Sequence, residues 1–448
     1  MAPARADTLE SALIQAYRTN PQLNAQRAAT RAIDENVSIA LSGYRPRISA
    51  TASLGQQYLE QVAESNTPGA PATVRQAGDV TFKSVGGTIT QTLYNGFQTG
   101  NRTRQAESQV FAARETLRVA EQQVLLNAVT AYMNLLRDTA ILDLQRSNVR
   151  VLEAQLRQTR DRFNVGEITR TDVAQAESRL AAGQSSMQLA EGNFTASRAT
   201  YRQVIGVEPG KLAAGMPVDR FSPKTLPASI NAARGASPAV TSAMYNVDVA
   251  QHAVKVAEGA LLPTVNLQGS ISKNWGSQQS LSVLETYGYG VVGQLSVPIY
   301  QGGAEYAAVR QAKETLGQRR LDLDTAREQA QATVVQAWGG LETARAQIES
   351  TQAQVRAAEI ALNGVREEAR VGQRTTLDVL NAQQELVNAR VALVTAQRDR
   401  VVASYTVLSA AGRLSPQILG LKIPNYDPVI HYNQVRDSWV GLRTPDGK

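Results

Sequence analysis

The residues of this 448-residue chain that could do chemistry are few. Cysteine is absent, so the chain has no disulfides, thiolate metal ligands or cysteine nucleophiles. Only His252 and His431 could act as an imidazole base or metal ligand, and they lie in different segments. No phosphate-binding loop of the G-x-x-x-x-G-K-[ST] kind occurs. The sequence therefore predicts no enzyme, no metal site and no cofactor.

A more informative pattern is a glycine followed by Thr-x-x-Asp, which occurs twice. It lies in NVGEITRTDVA at 164–174 and again in RVGQRTTLDVL at 370–380. Glycine suits the left-handed position that ends a helix, and Thr-x-x-Asp resembles a capping box that starts the next one. Each stretch therefore predicts a tight turn between two helices, centred on Gly166 and on Gly372.

The two turns belong to a long internal repeat. Position 372 lies 206 residues after position 166, and the same offset pairs Tyr94 with Tyr300 and Gly206 with Gly412. Upstream, an offset of 217 pairs Asn20-Pro21 with Ser237-Pro238, so a length difference of eleven residues lies between about 55 and 87. This pattern indicates two copies of a unit of roughly two hundred residues, far longer than solenoid repeats. We predict a first repeat over 7–206, a linker over 207–237, a second repeat over 238–412 and a C-terminal tail over 413–448.

Long helices are predicted on both sides of each turn. The tracts between Pro71 and Pro209 and between Pro298 and Pro416 contain no proline and are rich in helix-forming residues. One helix is predicted over 98–163, whereas its counterpart carries several glycines at which bends are expected. After each turn, large and small residues alternate at heptad spacing, which favours closely packed antiparallel coiled-coil pairs over an ordinary buried helix face. The first-copy positions are Val173, Leu180, Met187, Phe194 and Tyr201, with Ala176, Gly183, Ala190 and Ser197 between them.

Upstream of each long helix the period changes to two, which predicts strands. The hairpins are expected at about 47–95 and 264–300. Together with Tyr44 and Phe97, which flank the first of them, they hold nine of the chain's twenty-three Phe, Trp and Tyr residues. Each copy thus reads as helix, strand, loop, strand, long helix, turn, helix. Two interpretations fit the alternation: the aromatic residues form the core of a soluble sheet, or they face lipid with aromatic belts at the strand ends.

A membrane location would constrain the assembly. Four strands cannot close a barrel, and an open edge in lipid leaves backbone donors and acceptors unpaired at several kcal/mol each. Protomers would therefore have to share one barrel. Two chains would supply eight strands, and three would supply twelve and could leave a channel.

With these features the chain resembles the TolC family of outer-membrane factors in efflux pumps and type I secretion systems. The likeness covers nearly the whole chain, including DTLESALIQAYRTNPQLNAQ near the start and YNGFQTGNRTRQA at the entry to the first long helix. It implies a mainly α protein with membrane β structure: a homotrimer with a twelve-stranded β-barrel and a long α-helical coiled-coil barrel. It also implies a passive exit channel in the outer membrane and periplasm. Its expected partners are lipid, a periplasmic adaptor and an inner-membrane ABC or RND translocase.

The resemblance gives the turns a second role, as the periplasmic entrance. Asp378 matches a carboxylate of a cation-attracting ring, whereas Asn381 stands where well-known members have a second aspartate. The ring would then hold three carboxylates per trimer. The resemblance also implies that Arg374 bridges to the first-copy turn at Thr171 and Asp172, latching the entrance shut. Helix capping and gating can coexist at these residues.

The remaining expectations concern the net charge, the first residues, the tail and one competing class of protein. The net charge of +7 is interleaved with acidic residues, which is typical of a solvated helix face, so nucleic-acid binding is not expected. The opening MAPARA resembles the end of a secretory signal whose charged and apolar parts are missing. The competing class is a non-channel structural coiled-coil protein of the periplasm or cytoplasm. His431, Tyr432 and Trp439 of the tail are expected to be packing residues.

Overall fold

The computed structural model describes residues 7–67, 70–276, 285–424, 426–445 and 447. Helices dominate, and all four strands belong to one sheet. Two short 3-10 turns lie at Ser42–Tyr44 and Asp219–Phe221. In chain order the helices and strands are α1 (Leu9–Thr19), α2 (Pro21–Leu41), β1 (Arg47–Thr67), β2 (Ala70–Asn95), α3 (Gln98–Asn164), α4 (Arg170–Ile205), α5 (Leu226–Ala236), α6 (Pro238–Gly259), β3 (Thr264–Trp275), β4 (Glu285–Ser296), α7 (Ala304–Arg370), α8 (Thr376–Ala410) and α9 (Pro428–Val435).

The chain divides into two compact units, each made of several segments. The first, here called the turn unit, takes in the chain up to Thr30, Phe111–Met244 and Leu321–Pro428. The second, here called the sheet unit, takes in Arg31–Val110, Tyr245–Arg320 and the chain from Val429 onward. Both helical turns lie in the first unit and all four strands in the second.

The duplicated order of elements agrees with the sequence, with one difference at the start of each copy. Two helices precede the first strand instead of one, because the chain breaks before Pro21 and again before Pro238. The preceding residues, Asn20 and Ser237, have ψ angles of 122° and 119°. Proline clashes with a helical residue before it and forces this extended backbone. The sequence of each copy therefore specifies the same helix break.

The predicted linker, 207–237, is too long. Residues Leu226–Ala236 form α5, which lies 217 positions after α1 (Leu9–Thr19) and begins with the same cap residue, Thr225 in place of Thr8. Its side chain accepts a hydrogen bond from a first-turn backbone N–H, as that of Thr8 does. The second copy therefore starts at α5, twelve residues before the predicted boundary. The sequence signal was missed because α5 is embedded in a Pro- and Gly-rich stretch.

The long helices match the prediction in extent. Helix α3 spans 67 residues and contains the predicted 98–163. Its counterpart α7 also spans 67 residues and continues without interruption through Gly317, Gly339-Gly340 and Gly364. Glycine lowers helix propensity by only about 1 kcal/mol, so a long helix tolerates these residues.

The sheet has the antiparallel order β1-β2-β3-β4, and its two faces differ. One face carries hydroxyl groups: Ser49 hydrogen-bonds to Thr88, and Ser53 to Ser84, across the β1–β2 pair. The other face is apolar, as the register of partners shows. Its members are Ile48, Leu54, Val85, Ile89, Leu267, Ile271, Tyr287, Tyr289, Val291 and Leu295.

The apolar face lies open to solvent in the single chain. Ile48 is 77% exposed, Val291 74% and Tyr289 83%. Strand β4 ends at Ser296, four residues short of the predicted end, because Pro298 has no N–H to donate to a ladder. The pairing of β2 with β3 ends at Lys83 and Trp275, so the first hairpin extends past the second, in agreement with its eleven extra residues.

The core of the turn unit lies where α1, α3, α4 and α8 meet. Tyr132, Tyr201 and Tyr405 are buried there among leucine, valine and alanine side chains. The Tyr132 hydroxyl lies 2.7 Å from the carbonyl oxygen of Asp7 and 2.6 Å from that of Ala213. Burial raises the pKa of Tyr132 to about 12, so this phenol stays neutral and can donate a hydrogen bond.

Aromatic and charged contacts anchor the C-terminal tail within each unit. In the turn unit, the Arg27 guanidinium lies 4.5 Å from the centre of the Tyr17 ring and 5.1 Å from that of Tyr426. In the sheet unit, His431 Nδ1 lies 2.9 Å from Asp34 Oδ2. There Arg45 also lies over the Trp439 ring at 4.8 Å, and Tyr432 packs against α2 and α3 side chains. His431, Tyr432 and Trp439 make the packing contacts expected of them.

The heptad pattern of α4 places its small residues at the contacts with α3. Ala176, Gly183 and Ala190 of α4 are buried, whereas the large residues between them are only partly buried. A Cβ added at Gly183 would lie 2.7 Å from Leu152 Cδ1 on α3. Leu152 is itself buried in a cluster with Leu156 and Ala176. The small residues therefore set how closely α3 and α4 approach.

We expect Gly183→Leu to destabilise the α3–α4 hairpin by roughly 1–3 kcal/mol, because a larger side chain must displace the buried Leu152. The matched control is Gly192→Leu on the same helix, where an added Cβ has no neighbour within 4 Å. The control should be neutral or stabilising by up to about 1 kcal/mol, because leucine is the better helix former. Thermal unfolding of the two variants measures the difference. Equal melting temperatures would contradict close packing of α3 against α4 at Gly183.

Candidate functional site

The first turn ends α3 with a left-handed glycine. Gly166 has a φ of +81°, and its N–H donates to the Phe163 carbonyl at 2.9 Å. The next N–H, of Glu167, donates to the Arg162 carbonyl at 2.9 Å. These two bonds are the Schellman pattern, which satisfies carbonyls that the helix end would leave unpaired.

The second turn repeats this geometry at the end of α7. Gly372 has a φ of +80°, and its N–H donates to the Ala369 carbonyl at 3.3 Å. The Gln373 N–H donates to the Glu368 carbonyl at 2.9 Å. A side chain at either glycine would be strained, because L-residues rarely adopt a positive φ.

Capping boxes then begin α4 and α8, as the Thr-x-x-Asp pattern predicted. Asp172 Oδ2 accepts hydrogen bonds from the Thr169 backbone N–H at 3.1 Å and from its hydroxyl at 2.7 Å. Asp378 Oδ2 accepts the equivalent bonds from Thr375 at 3.0 and 2.9 Å. These bonds hold the pKa of the Asp378 carboxyl below its usual range, with a smaller contribution from Arg374.

An ion pair braces each turn, with the charges reversed between the copies. In the first turn, Arg162 Nη2 lies 2.6 Å from Glu167 Oε1. In the second, Arg374 Nε lies 2.8 Å from Glu368 Oε2. Arg162 and Glu368 are 206 positions apart, so equivalent sites carry opposite charges. The hydrogen bond to Glu368 raises the pKa of Arg374, which remains protonated.

The two copies meet just behind the turns. Leu380 of α8 is buried in a cluster with Leu152 and Leu156 of α3 and Ala176 of α4. Next to Leu380 in sequence, Asn381 Oδ1 accepts a hydrogen bond from Arg179 Nη2 of α4 at 2.6 Å. This pair joins the first-copy hairpin to the second.

Two other polar contacts near the turns stay within one hairpin. Arg160 of α3 lies 2.6 Å from Glu177 of α4, and the equivalent Arg366 of α7 lies 2.9 Å from Gln383 of α8. Both are exposed, so each contributes little to stability. They differ from the Arg179–Asn381 contact because they do not connect the copies.

The residues predicted for the entrance lie in or beside the turns, but the single chain does not bring all of them together. Asp172 and Asp378 cap their helices. Thr171 is exposed on the first turn of α4. Arg374 contacts Glu368 of its own turn, so its bridge to Thr171 and Asp172 remains a prediction. The cation ring at Asp378 and Asn381 likewise remains a prediction.

Two functional candidates, Glu368 and Arg179, were missed in the sequence. Glu368 could have been noticed, because charge reversal at an equivalent position of a duplicated turn is visible from the 206 offset. Arg179 could not, because its partner Asn381 is 202 positions away and the two do not correspond in the repeat. Which side chains meet across the copies depends on how the two hairpins pack.

Other kinds of site have no support in the described parts of the chain. No group of three His, Asp or Glu residues there is placed to hold a metal ion. None of the helices described combines the length and the apolar character needed to cross a membrane.

The chain is duplicated, its helical hairpins are capped, and its sheet exposes one apolar face. These features are those of an outer-membrane channel subunit. A family model described as "Outer membrane efflux protein" matches residues 12–207 and 229–413. The chain belongs to this family of channel proteins, and its two matched segments correspond to the two copies. The resemblance inferred from the sequence is thereby confirmed.

The chain is similar both to an efflux protein and to a secretion protein. The chain is 41% identical to the outer membrane efflux protein BepC of Brucella suis, over 99% of this chain and 94% of BepC. It is 26% identical to the outer membrane protein TolC of Escherichia coli, over 93% and 84% of the two chains. The alkaline protease secretion protein AprF of Pseudomonas aeruginosa is 27% identical, over 75% and 71%.

Solved structures confirm the fold class. The Campylobacter jejuni CmeC outer membrane channel superposes with a TM-score of 0.77 at 18% identity, covering 96% of this chain and 89% of that one. The open state of the Neisseria gonorrhoeae MtrE outer membrane channel gives a TM-score of 0.72 at 19% identity, covering 90% and 88%. The chain therefore has the fold of these channels.

The second turn should loosen in acid because its cap depends on an ionised Asp378. A carboxyl whose pKa is lower in the folded state stabilises above its unfolded pKa, and that stabilisation is lost as the pH falls through the folded value. Protection of the α8 first-turn amides from hydrogen exchange, corrected for intrinsic rates, should therefore fall below about pH 4. In Asp378→Asn, protection should be lower at neutral pH and should no longer depend on acid. Equal pH dependence in both proteins would contradict this role of the cap.

Proposed function

We propose that this chain is the protomer of a passive, trimeric exit channel in the outer membrane, extending into the periplasm. The observation that carries the proposal is the four-stranded sheet, which exposes an apolar face and has two open edges among the described strands. An exposed apolar surface of this extent marks a membrane or protein contact. Membership in the outer membrane efflux protein family supports the former.

The open edges determine the assembly. Edge strands β1 and β4 each carry a row of backbone groups with no partner strand in the described chain. In hydrocarbon these groups must be paired, so strands of neighbouring protomers pair with them. Three protomers supply twelve strands, enough for a barrel with an open lumen. The hydroxyl-rich face then lines the lumen and the apolar face meets lipid.

The chain itself supplies a path and partners supply the energy. Two hairpins built from helices of 35 residues or more in each protomer would give twelve such helices per trimer. We propose that their turns face a periplasmic adaptor and an inner-membrane translocase of the ABC or RND class. The named relatives include an efflux protein and a protease secretion protein, so both small molecules and proteins are candidate cargo.

The turns would form the entrance of this channel. Arg374 is proposed to exchange its contact with Glu368 for Thr171 and Asp172 when the turns approach, and so to hold the entrance closed. Asp378 is proposed to line the entrance in three copies. Exposed ion pairs are individually weak, but three symmetric copies can bias a marginal equilibrium between closed and open states.

The assembly is tested by purification of the full chain. We expect a detergent-dependent particle with the mass of three 48.2 kDa chains that inserts conducting pores into planar bilayers. A structural coiled-coil protein would instead remain monodisperse without detergent and form no pores. That result, or a monomer in detergent, would overturn the proposed channel.

The latch is tested by single-channel recording of Arg374→Ala and Asp172→Asn. Both variants should raise mean conductance, because each removes one partner of the proposed cross-turn bridge. Arg370→Ala is the control, because Arg370 pairs with Glu367 at the end of α7 and has no part in the proposed bridge. Unchanged conductance in both latch variants, or an equal rise in the control, would count against the latch.

A further inference from the structure

A hydrogen bond already joins the two copies behind the turns, and its donor carries a charge. Arg179 Nη2 donates to Asn381 Oδ1 at 2.6 Å. The contact lies beside Leu380, whose side chain is buried between α3 and α4 of the first copy. It is therefore adjacent to the apolar contact that holds the hairpins together.

The contact is independent of both turn caps. Asn381 corresponds by the 206 offset to Gln175, and Arg179 corresponds to Glu385. Neither residue takes part in the capping boxes or the Schellman bonds of the turns. Substitutions at these two positions can therefore weaken the joint between copies while leaving each turn intact.

The charge of Arg179 is balanced differently from that of its neighbours. Arg160 faces Glu177, Arg162 faces Glu167 and Arg374 faces Glu368, so each of these cations has a carboxylate partner. Arg179 contacts a neutral amide instead. Because the amide oxygen belongs to a neutral group, this contact does not compensate the positive charge of Arg179.

We propose that Arg179 is a positioning residue that clasps the first-copy hairpin to the second at the channel entrance and offsets the negative charge of the Asp378 ring. The proposal rests on the channel function above and deepens it. Asn381 lies three residues, about one helix turn, after Asp378 on α8, so a trimer would hold three Arg179 side chains about one turn behind three Asp378 side chains. The entrance should then be less cation-attracting than Asp378 alone implies.

The clasp and the charge can be separated with four full-length variants recorded in planar bilayers. Arg179→Gln removes the charge and the charged bond, Asn381→Ala removes the acceptor but keeps the charge, and Asn381→Asp strengthens the bond with a carboxylate. Arg160→Gln is the matched control, because its ion pair with Glu177 lies within one hairpin. The readouts are open probability and the concentration of La³⁺ that halves the current.

Both Arg179→Gln and Asn381→Ala should raise open probability by on the order of tenfold, because each removes the same weak hydrogen bond from all three protomers at once. Only Arg179→Gln should also tighten La³⁺ block, roughly threefold to tenfold, because only it uncovers the Asp378 charge. Asn381→Asp should lower open probability, and Arg160→Gln should match the native protein.

Native behaviour of Arg179→Gln in both readouts would overturn the proposal. So would a rise in open probability in Arg160→Gln equal to that in Arg179→Gln, since it would show a general effect of removing an exposed charge. Tighter La³⁺ block in Asn381→Ala would assign the effect to opening and not to the charge of Arg179. Absence of pores from the native protein would refute the proposed channel instead, so the two failures are distinguishable.

Discussion

Backbone pairing at the sheet edges is the constraint on which the rest of the structure depends. A four-stranded antiparallel sheet leaves N–H and C=O groups of β1 and β4 without a partner strand among the residues that the structure describes. Water can satisfy such groups, but hydrocarbon cannot. The exposed apolar face suits hydrocarbon or contact with another protein, which supports the proposal that the subunit is completed by other copies. The same logic explains why large apolar side chains such as Tyr289 and Val291 remain exposed in the isolated chain.

The helical part follows a different rule, in which small residues carry the packing. Gly183 and its alanine neighbours let α3 and α4 approach closely, and Ala389 and Ala396 occupy buried positions of α8 in the second copy. Each hairpin then needs a tight reversal, which the left-handed glycine and the Thr-x-x-Asp cap provide. The carboxylates of Asp172 and Asp378 accept the capping hydrogen bonds of these turns. The same two residues are proposed to control passage through the entrance. Each turn also carries an ion pair, with the order of the charges reversed between the copies, while the backbone geometry of the two turns is the same.

Much of the fold could be predicted from the sequence because it is specified locally and twice. The turns at Gly166 and Gly372 follow from short motifs, and the long helices follow from proline-free tracts. The start of the second copy was misplaced because α5 lies in a stretch rich in helix-breaking residues. The glycines of α7 do not interrupt the helix, because each lowers helix propensity by only about 1 kcal/mol. The Arg179–Asn381 contact was unpredictable, because it depends on the register between two hairpins and no repeat relates its members.

Cysteine cross-linking between protomers tests the central claim most directly, because the native chain contains no cysteine. Ser49→Cys on β1 would be combined in turn with Thr286→Cys, Gly288→Cys or Gly290→Cys on β4, which lie on the same face of the sheet. Two intervening strands separate these edges by roughly 14 Å, too far for a disulfide within one chain. Pooled strands predict a ladder of one, two and three covalently linked chains in outer membranes for at least one pair. Only monomers in every pair, or a ladder that continues past three, would contradict the account.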